Sequence, residues 1–113
     1  MTTKVFIPLF NEDVAPRFDL ATEVLVAEVG HQVSPAQERI LMLPGPSAER
    51  LCHMILSESA QVVVCGGIEQ EFYDYLIWKH IQVIDNVIGP GRQALKRLSS
   101  GCLKTGDNVF ADD

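Results

Sequence analysis

Apolar and polar residues follow two different patterns along the chain, and the first covers the residues before Pro44. There the apolar residues form short runs rich in valine, isoleucine and phenylalanine, a composition typical of strands. The connections between these runs are short enough for antiparallel neighbours. This part of the chain therefore predicts three strands, at Lys4–Leu9, Thr22–Val29 and Gln37–Leu43.

After Pro44 the pattern alternates between helical spacing and short continuous apolar runs. Ser47 is a favourable N-cap for a first helix. The apolar residues that follow it recur at the spacing of one helical face, at Ala48, Leu51, Cys52, Ile55 and Leu56. Two further short runs are mainly apolar, as in strands buried in parallel sheets, and cover Gln61–Cys65 and Ile81–Ile84.

Two more helices are predicted in the second half of the chain. One covers Glu69–Lys79, with Phe72, Tyr73, Leu76 and Ile77 directed inward. The other covers Arg92–Ser100, and Gly101 is placed to end it as a C′ glycine. Helix and strand therefore alternate from Ser47 onward, which is typical of a parallel sheet.

This order of elements predicts an α/β fold. We expect a ribonuclease H-like β-β-β-α-β-α-β-α arrangement, a five-stranded mixed sheet of order 3-2-1-4-5 with helices on its faces. A chain of 113 residues has room for one domain. We place that domain at residues 1–103, with residues 104–113 as a polar C-terminal tail in which Val109 and Phe110 are the docking candidates.

The predicted topology indicates where a ligand would bind. In open α/β sheets, ligands bind outside the carboxyl ends of the parallel strands, near a switch in strand order. That switch lies between the first and fourth strands, and three loops leave this edge: Phe10–Asp19, Cys65–Ile68 and Asp85–Arg92. They supply the candidate binding residues Asn11, Arg17, Gly66, Gly67, Gly89, Gly91 and Arg92. Glycines at the start of the second and third helices would expose backbone N–H donors there.

Cys65 ends a buried strand beside the Gly66-Gly67 turn. It is either a small core residue or a thiolate ligand, and it is the candidate metal-binding residue. Glu69 and Glu71 follow within one helical turn, and their charge opposes a lowered thiol pKa, which argues against redox catalysis. The same topology places no histidine in the crevice, because His31, His53 and His80 fall elsewhere on the predicted fold.

Composition excludes several other classes. The net charge of −6 and the pI of about 4.9 argue against a nucleic-acid surface. No apolar run has the length of a membrane span, and the N-terminus lacks the pattern of a signal peptide, so we expect a cytoplasmic protein. The three cysteines are too widely spaced for a zinc site or a disulfide framework. The first and fourth strands carry no carboxylates for a two-metal nuclease site, so we predict no enzymatic activity and no catalytic residues.

Three segments together resemble a known family: VAPRFDLATEVLVAEV, VVVCGGIEQEFYDYL and IGPGRQALKRLSSGCL. They look like the signatures of the dinitrogenase iron-molybdenum cofactor biosynthesis family, which includes NifX-type carriers, the C-terminal part of NifB and the orange protein. The resemblance covers about Lys4 to Leu103. The chain departs from the family pattern where Ala15 replaces a serine and where Asp19, Glu69 and His80 replace glycines.

The resemblance implies a small non-catalytic carrier or chaperone. Its cargo would be a metal–sulfur cluster, either an iron-molybdenum cofactor precursor or a related cluster of molybdenum, iron or copper with sulfide. A cluster donor or acceptor protein would then be its partner. Two alternatives on the same fold remain open: a small-molecule-binding regulatory module, and a protein-interaction module that holds no metal.

Overall fold

The computed structural model describes residues 3–30 and 38–111. His31, which we predicted to lie outside the crevice, and Gln37, the first residue of the third predicted strand, are outside the described residues. Within the described ranges, no helix is both long enough and apolar enough to cross a membrane.

A mixed sheet of six strands forms the centre of the fold. Five strands lie side by side in the order β4-β3-β1-β5-β6, and β2 pairs with the end of β1. The pairings of β1 with β2 and β3, and of β3 with β4, are antiparallel, whereas β1–β5 and β5–β6 are parallel. The strands are β1 (Thr3–Phe10), β2 (Asp13–Val14), β3 (Glu23–Val29), β4 (Arg39–Met42), β5 (Val62–Val64) and β6 (Gln82–Ile84).

The predicted mixed α/β class is confirmed, but the sheet has six strands instead of five. The additional strand, β2, arises from a two-residue turn at Asn11 and Glu12, which have φ values of 52° and 70°. Positive φ at both central residues is typical of a type I′ hairpin turn, and it brings Asp13 opposite Phe10. The ribonuclease H-like description stays a prediction.

In the described part of the chain three α-helices flank the sheet: α1 (Ala48–Ser57), α2 (Gln70–Trp78) and α3 (Gly91–Ser99). Ser47 caps α1 as predicted, because its hydroxyl oxygen accepts a hydrogen bond of 3.2 Å from the Arg50 backbone N–H. Gly101 follows α3 with a φ of 76°, the left-handed conformation of a C′ glycine. Short 3₁₀ turns lie at Phe18–Leu20 and Val109–Ala111.

The two faces of the sheet form separate halves of the core. Alternate side chains of a strand point to opposite faces, so Phe6 packs with α1 and α2 whereas Val5 and Ile7 pack with α3. The prediction that Ile77 points inward is wrong, because its side chain is largely exposed. In the C-terminal tail Val109 is buried and Phe110 is exposed.

Candidate functional site

Backbone hydrogen bonds join the loop after β1 to the loop after β5. The Phe18 N–H donates to the Gly67 carbonyl at 2.7 Å, and the Gly67 N–H donates to the Pro16 carbonyl at 2.8 Å. Arg17, between these donors and acceptors, pairs with Gly67 as an isolated parallel bridge. Two of the three loops that the sequence predicted at this edge therefore meet directly.

The loop after β6 joins the other two. Its Asn86 N–H donates to the Gly66 carbonyl at 3.0 Å, and Val87 donates to the Cys65 carbonyl at the same distance. The Gly89 carbonyl accepts a bond of 2.8 Å from the Val14 N–H. All three loops are thus held together at the carboxyl edge of the parallel strands.

Their junction leaves a groove of about 280 Å³, which we call the carboxyl-edge groove. This volume is near the lower end of the range of about 300–1,000 Å³ for small-molecule sites. Its walls are mainly backbone and apolar side chains, from Val14, Pro16, Gly66, Gly67, Asn86, Val87 and Ile88. The groove lies where the topology rule predicted a ligand site.

Gly66 and Gly67 line this groove, and each also has a structural reason to be glycine. A Cβ on Gly66 would lie 2.3 Å from the Ala15 carbonyl oxygen and 2.6 Å from that of Pro16. A Cβ on Gly67 would lie 3.3 Å from the Pro16 oxygen, which also accepts the Gly67 N–H. The absence of side chains lets the two loops touch, and the Gly67 N–H is already used in doing so.

Gly89 and Gly91 lie at the start of α3 and do not line the groove. Gly89 has a φ of 127°, and a Cβ there would lie 2.5 Å from a methyl carbon of Val109. A Cβ on Gly91 would lie 2.5 Å from a methyl carbon of Leu9, and the Gly91 N–H donates to the Glu12 carbonyl at 2.9 Å. Atoms from other parts of the chain therefore occupy the space around these two glycines.

The remaining predicted residues are spread over three places. The Arg17 guanidinium, whose side chain is 59% exposed, pairs with Asp19 through bonds of 3.1 Å from Nε and 2.9 Å from Nη2. Arg92 lines a different groove on the α3 face, where it pairs with Glu38. Asn11 is exposed in the β1–β2 turn. Of the predicted residues, Gly66 and Gly67 therefore line the carboxyl-edge groove and Arg17 meets them through its backbone. Asn11 and Arg92 lie outside the groove.

Cys65 lies directly beneath the glycine turn, completely buried in the core on the α1 and α2 face. Burial, and secondarily the charge of Asp85, raise the pKa of its thiol from the ordinary 9.0 to about 12. The side chain is therefore a protonated thiol at neutral pH. Among the described residues, no group of three or more histidine, cysteine, aspartate or glutamate side chains could hold a metal ion.

Asn86 is a lining residue that the sequence did not suggest. It has a φ of 57°, and its side-chain amide donates to Asp85 at 3.3 Å. Asparagine tolerates the left-handed region better than most residues, so Asp-Asn directly after a buried strand is a signal that could have identified it. It contributes the one polar side chain of the groove lining.

Another concave region, which we call the α1–α2 groove, lies between α1 and α2. It has a volume of about 420 Å³ and combines carboxylates with aromatic rings, from Glu49, Cys52, His53, Glu71, Phe72 and Tyr75. Burial, and secondarily the charge of Glu49, raise the pKa of Cys52 to about 11. His53 thus lies outside the carboxyl-edge groove, as predicted.

Comparison with known proteins gives similarity at the level of structure. No family model matches the sequence, and no curated protein matches it. The solved structure of PH0822 superposes with a TM-score of 0.81 at 20% identity, over 97% of this chain and 100% of that one. A proposed dinitrogenase, MJ0327 from Methanocaldococcus jannaschii, superposes with a TM-score of 0.73 at 16% identity, over 92% and 94%.

The apo form of the orange protein from Desulfovibrio gigas is also similar. Its TM-score is 0.70 at 16% identity, and the match covers 93% of each chain. The proposed dinitrogenase and the orange protein are of the kinds that the sequence resemblance indicated. At such identities the likeness shows a shared fold, and it leaves the ligand of this chain to be argued from its own residues.

Proposed function

We propose that the chain is a small non-catalytic carrier for a preformed anionic metal–sulfur cluster or its precursor. The cargo would bind in the carboxyl-edge groove and pass to or from a partner protein. The observation that carries this proposal is the meeting of three loops at the switch in strand order, which leaves a groove lined by Gly67, the residue with which the Arg17 backbone pairs. Similarity in fold to the orange protein supports the same class of cargo.

The chemistry of the groove fits a preformed cluster better than a bare metal ion. A bare ion needs several side-chain ligands at once, and the described residues offer no such group. A cluster brings its own sulfide ligands and presents negative charge, so it requires hydrogen-bond donors and a cation instead. The Asn86 amide and the Arg17 guanidinium are donors of this kind.

Arg17 can serve such cargo while it stays paired with Asp19. A guanidinium has five N–H donors in a planar fork, and Asp19 is held through Nε and Nη2. The Arg17 side chain is 59% exposed and its backbone pairs with Gly67 of the groove lining, so we propose that the remaining donors reach cargo in the groove. Asp19 would orient the guanidinium and lessen its net charge, so we expect binding that is reversible, as a carrier needs.

Cys65 has a smaller part in this proposal than the sequence suggested. Because it is buried and protonated at neutral pH, ligation by its thiolate would require both deprotonation and access through the glycine turn. We therefore assign retention of the cargo mainly to Arg17 and the groove walls. The assignment of Cys65 as a metal ligand stays a prediction.

Anaerobic reconstitution tests the proposal. The protein is incubated with ferrous iron and sulfide, or with tetrathiomolybdate and copper, then desalted and examined by elemental analysis and visible absorption. We expect stoichiometric metal and colour, both reduced by Arg17→Ala. Arg39→Ala is the matched control, because Arg39 is also an exposed arginine paired with a carboxylate, that of Glu58 at 2.8 Å. The proposal would be overturned if the wild-type protein retained metal under neither of the two conditions.

A second pair of variants separates the thiols. Cys65→Ala removes the buried sulfur next to the Gly66-Gly67 turn, and Cys52→Ala removes a buried sulfur beside the α1–α2 groove. If only Cys65→Ala lowers the metal content, the thiol is a ligand. Equal retention by both variants would assign binding to the groove walls and Arg17.

The mainly apolar lining favours one other candidate, a regulatory module that binds a small neutral molecule. A thermal-shift screen tests it, since a ligand at 100 times its Kd stabilises the folded state by about 2.7 kcal/mol. A hit with an organic metabolite, together with no metal retention, would replace the carrier proposal with this one.

A further inference from the structure

One edge of the sheet exposes apolar side chains on a strand with an open side. β4 pairs with β3 alone among the described residues. Its Ile40 and Met42 side chains are 42% and 72% exposed. At the opposite edge, Val83 and Ile84 of β6 are buried. Natural edge strands usually carry charges, prolines or bulges that discourage pairing. The one charged residue of β4 is Arg39, which is paired with Glu58 of its own chain at 2.8 Å, whereas Ile40 and Met42 are apolar.

The register shows which backbone groups of β4 face outward. The Leu43 N–H donates to the Thr22 carbonyl at 3.0 Å, so Leu43 faces β3. Backbone direction alternates along a strand, and Leu41 and Arg39 therefore also face β3. The N–H and C=O groups of Ile40 and Met42 consequently point to the open side, on the same residues that expose apolar side chains.

We propose that a second copy of this chain pairs antiparallel with β4 around a two-fold axis at Leu41, which joins the two sheets into one. This register places Ile40 of each copy opposite Met42 of the other. Each Ile40–Met42 pair would exchange both backbone hydrogen bonds, using the outward groups. The pairing is isologous, so it closes as a dimer without further growth at that edge.

Other two-fold registers are less complementary. Centring the axis on Ile40 places Glu38 opposite Met42, although Glu38 is paired within its own chain to Arg92. Centring it on Met42 places Ile40 opposite Pro44, which has no N–H to donate. The Leu41 register pairs apolar with apolar side chains on the exposed face and sets Arg39 opposite Leu43, so like charges are not directly opposed.

The interface is small, since β4 covers only Arg39–Met42. We therefore expect weak association, at the low end of interface sizes below about 1,200 Å². The pairing is independent of the proposed carrier function, because the carboxyl-edge groove lies on the β5 side of β1 and β4 lies at the far edge beyond β3.

Disulfide trapping gives a direct test of the register. Leu41 would face its own copy across the axis as a non-hydrogen-bonded pair, with Cα atoms about 4.5 Å apart. This separation lies within the range of about 4.4–6.8 Å that a disulfide spans. The variant Leu41→Cys, in a Cys102→Ser background that removes the exposed native thiol, should form a covalent dimer with a mild oxidant such as diamide.

Trp78→Cys in the same background is the matched control, because Trp78 is 70% exposed on α2 and can cross-link only through random collision. We expect at least about tenfold faster dimer formation for Leu41→Cys, owing to the high effective concentration of paired thiols. Equal rates in the two variants would overturn the proposal. Circular dichroism of each variant checks that it is folded.

A charge pair gives a second test that does not alter Leu41. The double variant Ile40→Glu with Met42→Lys would place opposite charges across each pair, whereas Ile40→Lys with Met42→Lys would place like charges there. Sedimentation at high protein concentration should show dimer in the wild type and in the first variant, and monomer in the second. A wild type that stays monomeric at every concentration, or equal behaviour of the two variants, would contradict the inference.

Discussion

The two glycine turns at the carboxyl edge, Gly66-Gly67 after β5 and Gly89-Pro90-Gly91 after β6, look alike in sequence. In the first, the backbone of Ala15 and Pro16 passes over Gly66, with a carbonyl oxygen 2.3 Å from where a Cβ would be. In the second, the space is closed by side chains of Val109 and Leu9, and Gly89 has a φ of 127°. The first turn lines the carboxyl-edge groove with both of its glycines, whereas the second contributes Pro90 to the separate groove beside Arg92. A glycine-rich loop before a helix can therefore serve backbone contact, chain direction or ligand binding, and the neighbouring loops decide which.

Gly66→Ala should have the largest effect on stability. The added methyl group would meet two backbone carbonyl oxygens, and backbone cannot move aside as a flexible side chain can. We expect a loss of more than about 3 kcal/mol in the free energy of unfolding. Urea denaturation followed by circular dichroism measures it, with Gly45→Ala as the control, since a Cβ there meets nothing within 4 Å. A near-neutral Gly66→Ala would show that the two loops are not packed together.

Gly89→Ala should be the next most destabilising change. Alanine is strained at a φ of 127°, and its methyl group would also lie 2.5 Å from the Val109 side chain and 2.9 Å from the Phe110 nitrogen. We expect a loss of about 2–3 kcal/mol, which the same denaturation experiment measures. The Val109→Ala background isolates the side-chain contact, because it relieves that contact and leaves both the backbone strain and the contact with the Phe110 nitrogen. Full recovery in that background would rule out a contribution from φ.

Alkaline pH should lower the stability of the folded protein, because burial raises the pKa of the Cys65 thiol. The pKa of Cys65 is raised from 9.0 to about 12, so between these values the unfolded chain has lost the proton that the folded protein keeps. Stability contributed by the protonated thiol is therefore complete below pH 9 and falls by about 1.4 kcal/mol per pH unit above it. Unfolding free energies of wild type and Cys65→Ala from pH 8 to pH 10.5 should differ in slope. Parallel curves would show a thiol that ionises normally.

Gly67→Ala should be the mildest of the changes within the groove. Its Cβ would lie 3.3 Å from the Pro16 oxygen, a tight contact that a small shift relieves. We expect a loss of about 1 kcal/mol or less, so that the variant folds and can be assayed for metal retention. Folded protein with reduced retention would separate the binding role of this turn from its structural one. Retention equal to that of wild type would remove Gly67 from the binding site.

Helical and strand spacing predicted most elements because each depends on local sequence. Ser47 and Gly101 marked helix ends correctly, and the continuous run Val62–Val64 became a buried parallel strand. β2 was missed because Glu12 adopts a positive φ that glutamate rarely takes, so local preference gave no sign of the turn. Here the hairpin pairing prevailed over residue preference.

The location of the groove was predictable from topology, whereas the residues that line it were not. The rule on strand ends identified the three loops, but which residues face each other depends on contacts between distant segments. Arg92 follows the third strand end as predicted, yet it lies on the α3 face beside Glu38. Arg17 reached the expected place because the Phe18–Gly67 hydrogen bond holds its loop against β5. Pairings of this kind have no signature in a single sequence.

Amide chemical-shift mapping with tetrathiomolybdate is the most direct test of the carrier proposal, since it reports the place of binding as well as its occurrence. The anion is titrated into isotope-labelled protein under anaerobic conditions. We expect the largest shifts at the amides of Gly66, Gly67, Asn86 and Val87, and their loss in Arg17→Ala but not in Arg39→Ala. Absence of shifts at these amides, or shifts confined to the α1–α2 groove around Tyr75, would contradict a cargo site at the carboxyl edge.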